Sequence, residues 1–400
     1  MEKDTPVGKT WSHCMDKDRI RETYDAALKA LAANTKKVAG YDRPVLTEGG
    51  EYQGVWLESG PQEGIVYGRH EPEIALANHD VFFHFQREDG WLPCWVRLNR
   101  AGYSQIQMVV PIAATALETG RRLSREDFLA RAYDACRRWD DWLARYRNTR
   151  GTGLCEAFCE FDTGHDNSPR FAGLPKRCPD NDARRCPRAG KLPYLAPDLS
   201  ASVYGGRVAL AEMADMLDRT GESRRWKEKA ELLRQRIIEH CFDPEDECFY
   251  DVDREGDFVK IRSDVLLRVL GEHVVEQSPF ERIYARYIRN PDEFWTPFPL
   301  PSVSINDPAF DRNLRLNSWG GPSQALTALR APRWFEHYGK HDDLAELMRT
   351  WVNAIIEAPA FMQEMNPWTG KFSTSHHYSP CMCVFVDFVD RLNLPGFPIT

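Results

Sequence analysis

The sequence predicts an all-α chain whose helices pair as antiparallel neighbours around a pocket, an α/α toroid. Apolar residues recur at three- and four-residue spacing along most of the chain, short connections join successive helices into hairpins, and the longer loops collect Trp, Pro and carboxylates. No break in composition marks a linker, so one domain over residues 1–400 is expected, with a Pro-, Arg- and Asp-rich excursion at about residues 173–197.

In chain order, Asp16 to Lys37 reads as a helix on Ile20, Tyr24, Ala27, Leu28 and Leu31. A polar, Gly-rich loop through Trp56-Leu57-Glu58 follows, then a helix from Glu73 to Gln86 that stops before Asp89-Gly90-Trp91-Leu92-Pro93. Tyr103 to Thr119 and Arg125 to Arg147 read as helices, the second strongly amphipathic. Asp198 is expected to cap a helix reaching Thr220, paired with one from Arg224 to His240. Phe242 to Asp251 reads as a turn into a β-hairpin, and Ser263–Leu270 and Phe280–Arg289 as shorter helices. Phe294 to Gly321 is non-helical, and a long unstructured loop within a compact domain is usually functional. Pro322–Tyr338, Leu344–Ile356 and His377–Leu392 complete the helices.

The balance of 42% hydrophobic and 28% charged residues provides a sizeable core, and a formal charge of -8 argues against nucleic acid or an anionic membrane as partner. No apolar run follows Met1 and no stretch approaches ~20 apolar residues, so neither a leader nor a membrane span is expected and the cytoplasm is the default compartment. The 11 cysteines lack a framework spacing and are expected to be reduced core residues, with Cys178 and Cys186, which flank a loop rich in Arg, Asp and Pro within the excursion, as the pair to watch. No metal site or cofactor is expected: Cys381-Met-Cys383 lacks the second pair that zinc requires. The 12 tryptophans suit sugar rings, whose C–H faces stack on indole, although tryptophan also fills helical cores.

The chemistry centres on Phe161-Asp162-Thr163-Gly164-His165-Asp166-Asn167-Ser168-Pro169-Arg170, where Gly164 and Asn-Ser-Pro place two carboxylates and an Arg on a loop. Read alone, Asp166 is better explained as a residue capping the next turn than as a catalytic acid. Gly-x-Asp-Asn-Ser-Pro in that loop, Phe294-Trp295-Thr296-Pro297-Phe298-Pro299-Leu300-Pro301-Ser302, Asn317-Ser318-Trp319-Gly320-Gly321-Pro322-Ser323 and Gln363-Glu364 with Asn366-Pro367-Trp368-Thr369-Gly370 form a recognisable set. With Gln86 to Pro93 as weaker support, the chain resembles the glycoside hydrolase family 63 glycosidases and their trehalase relatives, which include mannosylglycerate and glucosylglycerate hydrolases. The resemblance implies an (α/α)6 toroid or barrel with long functional loops and minor β-hairpins. It also implies inverting hydrolysis of a small α-linked glucoside or mannoside, with no cofactor.

In that reading Asp166 is the general acid and Glu364 the general base, held ~6.5–9.5 Å apart to admit water. Asp162 is expected to help raise the pKa of Asp166. The base of the relatives falls on Gln363, one residue before Glu364, so either the loop shifts to bring Glu364 into line or Gln363 takes that place and base catalysis is impaired. Relatives carry Trp-Asp where this chain has Trp56-Leu57-Glu58, which makes Glu58 the expected sugar-holding carboxylate. Trp56, Trp91, Trp295, Trp319 and Trp368 lie in loops and are expected to stack on ligand; Gln107, Phe161, Asp162, Asn167, Gln363 and His376 are expected to line the pocket. Arg170 is expected either to hold a substrate carboxylate or to pair with Asp162. An epimerase or lyase on the same toroid, resting on His165 and His376-His377, and a non-catalytic glycoside-binding homologue, resting on Gln363, are the alternatives. The oligomeric state is not legible.

Overall fold

The computed structural model describes residues 16–394; the opening Met1–Pro6 stretch, where no leader is expected, lies outside them. Twelve α-helices form among the described residues: α1 Lys17–Asn34, α2 Gly60–Tyr67, α3 Pro72–His84, α4 Ile112–Leu123, α5 Glu126–Tyr146, α6 Pro197–Met216, α7 Thr220–Cys241, α8 Asp264–Gly271, α9 Gln277–Ile283, α10 Ala325–His337, α11 His341–Glu357 and α12 Ser379–Arg391. The even-numbered helices pack in sequence, α2 on α4, α4 on α6, α6 on α8, α8 on α10 and α10 on α12, and α12 returns to α2. That closes an inner ring of six, with α1, α5, α7 and α11 packed against it from outside. Burial follows position. Every residue of α2 and α8 is buried, as a helix walled in on all sides requires, whereas α5 and α7 bury one stripe and expose the other. No helix among the described residues is long and apolar enough to cross a membrane.

The small sheets are accessory. Antiparallel pairs Phe242–Asp243 with Cys248–Phe249, and Ser323–Gln324 with Glu364–Met365 and Phe372–Ser373, brace the loops.

Two helices depart from the sequence pattern for identifiable reasons. Helix α2 was not expected, because Gly60-Pro61-Gln62-Glu63-Gly64 carries no apolar period. Its glycines are needed for contact: a Cβ on Gly64 would meet Asn78 Cβ of α3 at 2.8 Å, and one on Gly60 would meet Val55 Cγ2 at 2.2 Å. The helix expected from Tyr103 begins only at Ile112. The preceding stretch is captured by the central loop: Ile106 N–H donates to Asp162 Oδ1 (2.9 Å), Met108 N–H donates to the Asp162 carbonyl (3.1 Å), and Gln107 adopts φ 42°. Asp198 lies inside the first turn of α6 rather than capping it.

Candidate active site

Six loops run into the N-termini of the inner helices, and five of them carry candidate residues. Glu58 precedes α2, Gln107 precedes α4, the Asp166 loop leads towards α6, Ser263 precedes α8, Asn317–Gln324 lead into α10 and Gln363–Tyr378 lead into α12. The ring thereby gathers chemistry from distant parts of the chain at one end.

The Asp166 loop is pinned by buried ion pairs. Asp162 is fully buried and salt-bridged to the fully buried Arg147; its carboxylate also accepts the backbone N–H groups of Ile106, Phe158 and Cys159. Arg170 is equally buried. It donates to both oxygens of Asp198 (2.9 and 3.1 Å) and of Asp251 (2.8 and 2.7 Å), and lies 2.7 Å from His165 Nδ1. These pairs correct two expectations: Arg170 pairs with Asp198 and Asp251 instead of Asp162 and is unavailable to a substrate, and Asp162 is a structural anchor. Cys178 faces Cys159, at 3.7 Å between sulfurs, and Cys186 packs against the same cluster. The Cys159, Asp162 and Cys178 ligand atoms lie within 4.8 Å of one another, but the Arg147 guanidinium already occupies the carboxylate.

Asp166 stands half-buried, its backbone carbonyl accepting Trp319 N–H (2.9 Å). Burial, followed by the neighbouring Glu160 charge, pushes its carboxyl up to about 7, against the opposing pull of Lys176, Asn317 and Arg177. Glu160, not Asp162, is therefore the carboxylate that loads Asp166. Glu58 rests against the same loop: a Cβ on Gly164 would meet Glu58 Oε2 at 1.6 Å, so only glycine fits there. Burial and then the Asp166 charge push Glu58 up to about 7, while Arg268, Gln107 and Arg330 pull it down. Glu48 accepts the Tyr378 hydroxyl (2.9 Å) and is raised well above the carboxylate range by burial and the charges of Glu58 and Glu63. Trp319 is sandwiched by His165 (4.7 Å between rings), Arg268 (5.2 Å) and Arg330 (5.8 Å).

Gln363 and Glu364 point to opposite sides of their strand, as consecutive strand residues must. Glu364 is fully buried and saturated: it accepts Asn317 N–H (2.8 Å), Ser318 N–H (3.3 Å), Gln324 Nε2 (3.0 Å) and the Thr374 hydroxyl. Gln363 turns the other way. Its Nε2 donates to Asn317 Oδ1 (3.1 Å) and its Oε1 accepts from the Tyr52 hydroxyl (3.3 Å), whose surroundings include Glu48, Asp166 and Glu58. Asn317 in turn bonds the Asp166 carboxyl, so Gln363, Asn317 and Asp166 form one chain of contacts.

The remaining candidates divide. Trp56 meets Tyr52 edge-on at 5.7 Å, and Gln107 is buried beside Glu58, accepting from Gln105 Nε2 (2.8 Å). Asn167 is exposed, tied to the Asn317 carbonyl (2.6 Å) and Lys176 (2.7 Å); Phe161 lies under Lys176 and Arg177. Trp368 is exposed with its edge on Phe310, and His376 is exposed. Two tryptophans depart from expectation. Trp91 is 1% exposed and stacked on Trp142, as core filling, and Trp295 turns outward, its indole N–H donating to Glu346 of α11 (3.1 Å). Sequence reasoning missed Glu48, Tyr52, Glu160, Arg268 and Arg330. Tyr52 and Glu48 had a signal in their Gly-rich loop, whereas the two arginines read as ordinary helix-face residues.

Similarity to known proteins agrees with this geometry. The mannosylglycerate hydrolase MGH1-like glycoside hydrolase domain model matches residues 65–379. The GH63 mannosylglycerate hydrolase from Thermus thermophilus, solved in complex with glucose, superposes with a TM-score of 0.74 over 91% of this chain and 99% of that one, at 16% identity. Neutral trehalase Nth1 from Saccharomyces cerevisiae superposes with a TM-score of 0.66 over 86% of this chain and 73% of its own, at 14% identity. A curated protein of Borreliella burgdorferi is 22% identical over 120 residues, 30% of this chain and a quarter (25%) of that relative's length. Since the family model spans most of the chain, and the closed six-fold ring is the fold of the structural relatives, the chain belongs to the mannosylglycerate hydrolase MGH1-like glycoside hydrolase family.

Proposed function

We propose that this glycoside hydrolase cleaves a small α-linked glucoside or mannoside with inversion, and that Asp166 is the general acid. The observation that carries the reading is the Asp166 carboxyl itself, held half-open at the loop end of the ring and pushed up to about 7, where it retains a proton to give at neutral pH. Glu58 with Gln107, and the indole of Trp56, would hold the sugar: carboxyl and amide groups match hydroxyls, and indole matches C–H faces. Glu364 is assigned a positioning role instead of the base role. Its lone pairs are spent on four donors, and it fixes the Asn317–Ser318 turn that bonds the acid loop.

The mannosylglycerate hydrolase of Thermus thermophilus has been solved with D-glycerate, which makes glycerate conjugates reasonable members of a substrate panel. Proton NMR of the protein with α-glucosides and α-mannosides, glycerate conjugates included, tests the reading. Early β-anomer from an α-linked substrate is expected; early α-anomer would rule out single displacement. An epimerase would instead return an uncleaved isomer.

A further inference from the structure

Single displacement at an anomeric carbon needs a proton donor on one side and, when water is the nucleophile, a proton acceptor on the other. The donor is in place, but the acceptor is not. Glu364 is fully buried and saturated with hydrogen bonds from Asn317, Ser318, Gln324 and Thr374. Glu58 lies against the acid's own loop, and Glu48 is engaged by Tyr378; burial and mutual repulsion keep both protonated more readily than a base should be. The side chain that does face Asp166 across Asn317 is Gln363, and a carboxamide cannot take up a proton near neutrality. One of its amide hydrogens is spent on Asn317; the second remains to donate. Lys176 and Arg177 lie over Phe161 and act on Asp166, so two cations stand beside the acid, Lys176 lying 3.8 Å from Glu160.

We propose that Gln363 borders the space from which the anomeric carbon is attacked, and that the enzyme takes a small anion there, a nucleophile already charged, in preference to water. The inference rests on the Asp166 reading. The Asp166 proton passes to the leaving oxygen as the C1–O bond breaks. The anion's electron pair forms the new bond to C1 from the opposite face. The alcohol and the inverted glycosyl adduct leave, and Asp166 regains a proton from water. With azide the adduct is a β-glycosyl azide; with inorganic phosphate, a β-glycosyl phosphate. A neutral amide in this place receives such an anion, where a carboxylate would repel it.

The test uses the full chain with α-glucosyl and α-mannosyl fluorides, whose fluoride departs without a proton, so that only the nucleophile side is read. Azide and inorganic phosphate are added separately, and products are followed by fluoride release and NMR. The expected result is at least tenfold faster fluoride release with one of the two anions and a β-configured adduct. Gln363→Glu should reverse the preference, raising hydrolysis at least tenfold and suppressing the adduct. Fluoride release by the unaltered protein that neither anion accelerates would overturn the proposal, as would its binding the fluorides (followed by tryptophan fluorescence) without forming an adduct. The acid assignment is tested apart, by Asp166→Asn on O-glycosides. If that variant still cleaves them, the acid reading falls while the fluoride result stands.

Discussion

Replacing Glu364 by Gln separates two roles that a sequence cannot. The side chain is fully buried and accepts from two backbone amides, the Gln324 amide and the Thr374 hydroxyl. A glutamine of the same shape keeps one acceptor oxygen and turns an NH2 towards groups that are themselves donors. Two of the four contacts become donor against donor, and each hydrogen bond to a charged group is worth about 1.5–3 kcal/mol. The loss should be about 3–5 kcal/mol, offset in part by no longer burying a charge. Urea unfolding of Glu364→Gln should therefore show a clearly lower midpoint with an unchanged slope. Activity should fall because the Asn317–Ser318 turn loosens, and a low temperature or a stabilising ligand should restore part of it. A general base behaves in the opposite way: the isosteric amide would leave stability unchanged and remove turnover by several powers of ten at every temperature. An unchanged midpoint with turnover abolished would refute the positioning role.

Other consequences follow from the same geometry. Asp166→Asn should lose O-glycoside cleavage by at least ~10²-fold, the low end of what a general acid supplies, with an unaltered circular dichroism spectrum. Because an acid must hold its proton, kcat/KM should decline as pH rises through about 7, the value to which burial and Glu160 push Asp166; Lys176→Met, by removing an opposing cation, should move that limb to higher pH. Burial, against the pull of Ser59, holds Glu63 up to about 8, whereas the unfolded chain releases that proton near the ordinary glutamate value of about 4.3. A carboxyl raised by folding contributes stability that is fully present below the unfolded pKa, falls steadily as pH climbs from there, and is gone above the folded pKa. Between pH 6.5 and 8 this group alone should therefore cost about 2 kcal/mol, read as a falling urea midpoint. Arg170→Met should destabilise by about 3–5 kcal/mol, since it strands the buried Asp198 and Asp251; an unchanged unfolding curve would contradict the pairing.

The helical ring was legible because its signal is periodic and long: α1, α5, α7, α11 and α12 each present apolar residues at helical spacing. What escaped was governed by contacts rather than by pattern. Helix α2 exists because glycines let it approach Asn78 and Val55, and Tyr103–Pro111 stays non-helical because Asp162 takes its amides. The acid loop was visible in its own ten residues, yet the partners of its charges were not. Asp162 finds Arg147 fifteen positions earlier, and Arg170 finds Asp251 eighty-one positions later, separations for which no local spacing rule exists. The Gln363–Glu364 pair is the sharpest case. A register choice of one residue decides which side chain meets Tyr52 and Asn317 Oδ1 and which is buried among the Asn317, Ser318 and Gln324 donors, and that register lies in the pairing of Ser323–Gln324 with Glu364–Met365.

Three aspartates around this end of the ring show how position rather than residue type sets the chemistry. Asp198 and Asp264 sit in the first turns of α6 and α8, where the helix amides favour negative charge. Burial would raise both, but arginines outweigh it: Arg170 brings Asp198 down to about 2, and Arg330 with Arg268 hold Asp264 well below the usual range. Asp166 stands out on its loop, with no guanidinium bonded to it and with Glu160 nearby, and burial is left to lift it to about 7. The buried cations that would have quenched it are already engaged: Arg170 by two carboxylates, Arg147 by Asp162, and Arg268 and Arg330 by Asp264. Those buried pairs do more than hold the loop. By consuming the buried guanidinium groups they leave burial and Glu160 free to raise the Asp166 carboxyl, which is the condition for an acid catalyst. Breaking one of them, for instance with Asp264→Asn, should free an arginine and shift the alkaline limb of the pH profile to lower pH even where the fold survives.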